Sequence, residues 1–285
     1  MANSVPITVV SEMEWDHEVD VVCTDAGVAG LAAAISAVDE GAEVYIASAP
    51  TPAYEGWFPT DSHDPETAGY LAELTGDLTV AVLPRTDETL PIGLVVEPAV
   101  SPGRMIAPFV GSQLRDWAAR CIPAPSGYLY TRVTDWTSAS LQAGDGDAIE
   151  VTEIGSMTVG PGDVASSVLA WLDTEAATRG VHGDPVAGVE RLVFDEGQVI
   201  GAVFATADGP FAVRARHGVL VSRDAFPAGR VTRLPAALTD AVLRVALVSK
   251  AASRFGRVEL LTSDPDVVRA SAATSGPPSG ALEHA

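Results

Sequence analysis

The sequence predicts an α/β fold: a doubly wound sheet with a β-meander and a reduced, irregular inserted subdomain. Three observations predict it. A short apolar run, Val19 to Cys23, enters a glycine-containing turn, after which Leu31, Ile35 and Val38 recur at helical spacing. Gly41 ends that helix, and Ala42 to Ala47 reads as a second buried strand. Later in the chain, three β-rich stretches are separated by short turn sequences.

The opening unit is therefore strand, helix, strand, and a crossover through a helix makes the two strands parallel with a right-handed connection. From Pro50 to about Gly162 proline and glycine punctuate the chain, with helices expected around Pro65 to Leu74 and Gly111 to Arg120. Tyr54, Trp57, Tyr70, Trp117, Tyr128, Tyr130 and Trp136 fall here, and ordinary packing explains them better than a pocket lining. Asp163 can cap a helix to about Arg179, with Val164, Val168, Leu169, Leu172 and Ala176 along one face. Val186 to Phe194, Val199 to Ala205 and Phe211 to Ala215 form the meander, joined by Asp195-Glu196-Gly197-Gln198 and Ala207-Asp208-Gly209-Pro210. Gly218 to Val221 returns as a buried strand, a helix is expected from Leu238 to Phe255, and Ser263 to Ala285 reads as a flexible tail. The implied division is 1–50 with 163–262 as one unit, 51–162 as the insertion and 263–285 as the tail.

With 285 residues, 47% of them apolar, the chain can bury a sizeable core. A formal charge of −21 argues against nucleic acid and against anionic membranes, both of which require clustered Lys and Arg. No apolar run approaches the ~18 residues of a membrane span, and the acidic segment Met1 to Glu18 lacks signal-peptide character. Cys23 and Cys121 lie far apart in no ligand-like spacing, so a cytoplasmic location without a zinc site is expected.

His17, His63, His182, His217 and His284 are scattered, and no Gly-X-Ser-X-Gly elbow occurs, which disfavours helical metal sites and serine hydrolases. The acidic clusters Asp61 to Glu66 and Asp145 to Glu153 lack EF-hand spacing and read as solvated loops.

One turn carries recognisable chemistry. A dinucleotide fingerprint uses three glycines: for a tight turn, for close approach of a pyrophosphate, and for packing helix on strand. In Val19-Asp20-Val21-Val22-Cys23-Thr24-Asp25-Ala26-Gly27-Val28-Ala29-Gly30-Leu31 these positions are Asp25, Gly27 and Gly30. The segment resembles the first strand and helix of the FAD-dependent flavoproteins that include fumarate reductases, succinate dehydrogenase flavoproteins and 3-ketosteroid dehydrogenases. Gly218-Val219-Leu220-Val221-Ser222-Arg223-Asp224-Ala225-Phe226 resembles their later Ala-Thr-Gly-Gly-Phe strand end. The resemblance covers about residues 17–50 and 163–226 and implies a Rossmann-like sheet.

The chain departs from that family where a nucleotide would be held. The first glycine is Asp25, the ribose-binding acid falls on Ser48, and the later glycines are Asp224 and Ala225. The family's C-terminal flavin-contacting stretch and its His and Arg active-site motifs have no counterpart here. The resemblance therefore implies a shortened, degenerate relative. Gly27, Gly30 and Ser48 are its remnant site, impaired by Asp25 and Asp224. No cofactor is expected, and function would run through a protein partner, either a second copy or an intact flavoprotein. The alternative is a working FAD-dependent oxidoreductase, with the amides of Val28 to Gly30 still holding the pyrophosphate. A third reading is another small molecule in the vacated crevice. Arg223 is expected to approach Asp25 or Asp224, filling the pyrophosphate space with an ion pair.

Overall fold

The computed structural model describes residues 13–50, 64–76, 78, 90–96, 111–132, 138–160, 163–222 and 240–274. Their elements are β1 (His17–Cys23), α1 (Val28–Asp39), β2 (Val44–Ser48), α2 (Pro65–Thr75), β3 (Ile92–Val96), α3 (Gly111–Cys121), β4 (Gly127–Tyr130), β5 (Ala139–Ala143) and β6 (Ala148–Thr158). There follow α4 (Val164–Thr178), β7 (Asp184–Pro185), β8 (Gly188–Asp195), β9 (Gln198–Thr206), β10 (Gly209–Ser222), β11 (Val242–Ser249), β12 (Phe255–Thr262) and α5 (Pro265–Thr274). The class is α/β with a mixed sheet.

One side of the sheet is parallel. β2 lies between β7 and β1, and β1 lies between β2 and β10, all running the same way. Their carboxyl ends, at Cys23, Ser48, Pro185 and Ser222, therefore fall along one edge. β1 is buried on both faces: Val21 and Cys23 join the core beneath α1 and α4, while Val19 and Val22 join the core of the meander and α3. That explains why Val19, Val21, Val22 and Cys23 are apolar on both faces, while the half-buried Asp20 is paired with Arg216. α1 is buried at every position from Val28 to Ala37, so it is sandwiched rather than amphipathic, and its alanines keep the packing close.

Helix starts follow their caps. Asp64 accepts from the Thr67 amide at 2.8 Å and Asp163 from the Ser166 amide at 2.9 Å. Thr67, fully buried, in turn accepts the Leu192 amide at 2.9 Å and pins α2 to β8.

The other side of the sheet closes on itself. β11 pairs β6, β6 pairs β5, β5 pairs β3, β3 pairs β12 and β12 pairs β11, giving a ring of five strands. The middle segment thus carries more regular structure than its proline and glycine content suggests.

Three expectations are corrected. Where a helix is expected from Leu238 to Phe255, the described residues from 240 onward form the hairpin β11–β12, in register from Arg244 opposite Leu261 to Ser249 opposite Gly256. Leu243, Val245 and Leu247 face one core while Ala246 and Val248 face the other, which is strand periodicity. Phe211 to Ala215 and Gly218 to Val221 are parts of the single strand β10, which leaves β9 for β1 and β4 along its length. The expected tail contains α5, which buries Val267 in the core; residues 275–285 lie outside the described residues.

Candidate functional site

The β1–α1 turn sits at the carboxyl edge of the parallel strands. Thr24 ties it to the end of β10: its amide donates to the Leu220 carbonyl at 3.0 Å, and its hydroxyl oxygen accepts the Ser222 amide at 3.2 Å. Gly30 lets α1 pack tightly against the turn. A Cβ there would overlap the Asp25 carbonyl and lie 3.6 Å from the Ser222 Oγ. Gly27 caps α1 with φ −74°, a conformation open to any residue, and no side chain caps the helix or brings acid to its first turn. The first amides of α1 thus keep the partial positive charge of a helix start without a side-chain cap.

Asp25 is half-buried, and its Oδ2 is shielded from solvent. It has no positive φ, so the turn accepts an acid without backbone strain and needs no glycine there. The Cys23 thiol is pushed up to about 12 by burial first and by the Asp25 charge second, which puts the carboxylate close to the strand end. Cys23 stays a protonated core thiol.

Ser48 is exposed at the end of β2, where its carbonyl accepts the Val186 amide at 3.1 Å. Gly183 crosses over it: a Cβ there would meet Ser48 Cβ at 2.8 Å and Ala26 Cβ at 3.3 Å. The fold thus brings together the first turn, the end of β2 and the start of β7. Sequence reasoning missed Gly183, although a glycine just before a short strand is the available signal. It also missed Ser222, whose buried Oγ has no hydrogen-bond partner among the described residues.

Asp224 and Arg223 lie outside the described residues, as do Tyr54, Trp57 and Trp136. Trp117, Tyr128 and Tyr130 are buried in the cores. The buried tyrosines stay protonated: Tyr45 is pushed up to about 12 by burial and then by Asp184, and Tyr130 is raised mainly by burial. Among the described residues no cluster of His, Cys, Asp or Glu forms a metal site, and no helix is long and apolar enough to cross a membrane.

No family model matches the chain, and no curated protein matches it in sequence. Among solved structures, it is similar to 3-ketosteroid-Δ4-(5α)-dehydrogenase from Rhodococcus jostii RHA1, with 19% identity and TM-score 0.34 over 74% of this chain and 47% of that one. It is similar to a flavocytochrome c3 fumarate reductase at 15% identity and TM-score 0.29, over 70% of this chain and 33% of that one. A myxobacterial FAD-dependent halogenase of chondrochloren shows 13% identity and TM-score 0.29 over 70% and 36%. The chain matches less than half the length of each of these structures. These neighbours are flavoproteins of the FAD-dependent oxidoreductase type, a relation at the level of general resemblance.

Proposed function

We propose that this chain keeps a Rossmann-like, FAD-oxidoreductase-type scaffold, has lost FAD binding and catalysis, and acts through contact with another protein. The partner in this reading is a second copy or an intact flavoprotein. Numbered by their order in the sequence, the four parallel strands stand 3-2-1-4, the order of the first four strands of a doubly wound dinucleotide-binding sheet, and α1 begins where such a sheet receives a pyrophosphate. The division into 1–50 with 163–262 and an inserted 51–162 belongs to the same reading, with β11 and β12 at the seam. The free, buried cysteines accord with a reducing compartment such as the cytoplasm.

The observation that carries the proposal is Asp25, a half-buried carboxylate in the turn against which Gly30 packs. Gly27 and Gly30 are the small residues a nucleotide-binding turn uses, but the charges do not suit it: Asp25 opposes a diphosphate, and Ser48 offers the ribose no carboxylate. The residues present do not fit FAD. Calorimetric titration of the purified chain with FAD tests this, with no saturable heat expected up to about millimolar ligand; micromolar binding would overturn the proposal.

A second reading, a working FAD-dependent oxidoreductase moving hydride to or from an alkene or ketone, is favoured by one observation. The orphaned Ser222 Oγ beside Gly30 and the uncapped start of α1 are donors that a phosphate would satisfy.

A further inference from the structure

A second site lies away from the first turn, against the strand ring. Between β3, α3, β12 and the β5–β6 turn is a pocket of about 350 Å³ whose lining shares no residue with the β1–α1 turn. Its floor is Trp117, which is buried and fixed by an indole N–H donated to the Phe255 carbonyl at 2.9 Å. Three cations gather over that one ring: Arg120 at 5.3 Å, Arg257 at 5.4 Å and Lys250 at 6.0 Å from its centroid. The whole chain has only 17 Lys and Arg and a net charge of −21, so the convergence is not a product of composition.

The cations differ in how they are held. The Lys250 ammonium donates to Asp147 at 2.7 Å and the Arg257 Nε to Glu259 at 2.7 Å, and the Lys250, Arg257 and Glu259 side chains are nearly buried. Arg120 stands at the mouth, 40% exposed, at 3.9 Å from the same Asp147 that Lys250 already engages. It makes no hydrogen bond among the described residues, so its guanidinium fork is available to a planar two-oxygen acceptor. Leu94, Ile149 and Val268 supply an apolar wall.

We propose that this pocket binds a small organic monocarboxylate, its carboxylate on Arg120 and its apolar body between Trp117 and the wall. Asp145, Asp147 and Glu259 also line the space, and they oppose a second negative charge on the ligand. A monoanion therefore fits better than a phosphate or a dicarboxylate. The inference stands whether or not the first turn binds a nucleotide.

The test uses the full chain with benzoate and butyrate as probes, benzamide as the neutral control and phenyl phosphate as the dianion. Affinity is read by calorimetry and by the indole N–H resonance of Trp117. At least one carboxylate is expected to bind saturably with a Kd on the order of 1 mM, with benzamide about tenfold weaker than benzoate and phenyl phosphate no tighter. Arg120→Met should weaken carboxylate binding about tenfold, whereas Arg115→Met, an equal charge change at an exposed position of the same helix, should leave it unchanged. Absence of binding by both carboxylates at about 10 mM, equal binding of benzamide, tighter binding of phenyl phosphate, or an unaffected Arg120→Met would each overturn the proposal.

Discussion

Replacing Asp25 removes the acidic charge of the first turn, which makes it the sharpest perturbation of the proposed site. A carboxylate about 4 Å from one phosphate charge costs ~1 kcal/mol at the dielectric of water and ~4 kcal/mol at an effective value near 20. Asp25 is half-buried, so its cost falls between those limits. Removing one such charge pair should raise FAD affinity by roughly 5- to 1,000-fold, at ~1.4 kcal/mol for each factor of ten. Asp25→Asn removes the charge and keeps the shape; Asp25→Gly also restores the room a diphosphate uses. Because Asp25 has no positive φ, glycine relieves no strain there. Asp25→Gly should therefore lose about 0.5–1 kcal/mol of stability without ligand. Thermal unfolding with and without FAD reads both effects, since a ligand stabilises by RT ln(1 + [L]/Kd). Ser48→Glu, added to Asp25→Gly, should contribute a further ~1.5–3 kcal/mol through charged hydrogen bonds to the ribose. If neither Asp25 variant binds FAD better than the parent, charge at this turn is not what excludes the nucleotide.

Other consequences are testable in the folded chain. Gly30→Ala should destabilise by at least about 1–3 kcal/mol in urea titration, because its Cβ would overlap the Asp25 carbonyl. Thr67→Val should cost about 1–3 kcal/mol by leaving the buried Leu192 amide without an acceptor, again read from the urea midpoint. Asp20 is held below its ordinary 3.8, first by the Arg216 hydrogen bond and then by the Glu43 amide. Its contribution is present above pH 3.8 and lost as pH falls through the lower folded value, so Asp20→Asn should lower stability at neutral pH and flatten the acid limb. Cys23 and Cys121, both fully buried and both raised chiefly by burial, should resist a thiol reagent at pH 8 in native buffer and react in denaturant; rapid native labelling would contradict the packing.

The parts of the fold legible in sequence were those in which local signal and burial agree. The β1–α1–β2 unit, the Asp163 cap and the meander turns follow from residue type and spacing. The β11–β12 hairpin was missed because both its faces are buried: a short apolar run buried on two sides has no alternation to separate strand from helix. α5 was missed although Asp264 and Pro265 are a helix-start signature; Asp264 accepts the Asp266 amide at 2.8 Å. The five-strand ring was not legible, because it depends on the pairings of β6 with β11 and of β3 with β12, which are distant in sequence. The Asp145 to Glu153 cluster read as solvated loop, whereas Asp147 is engaged by Lys250 from the far end of β11, again a long-range contact.

The central claim is that the nucleotide cradle folds while its charge keeps FAD out. The most direct measurement is the visible absorption spectrum of natively purified chain, with mass analysis of what it releases on denaturation. A colourless protein that releases no FAD is the predicted result; a yellow protein releasing FAD in stoichiometric amount would contradict the account.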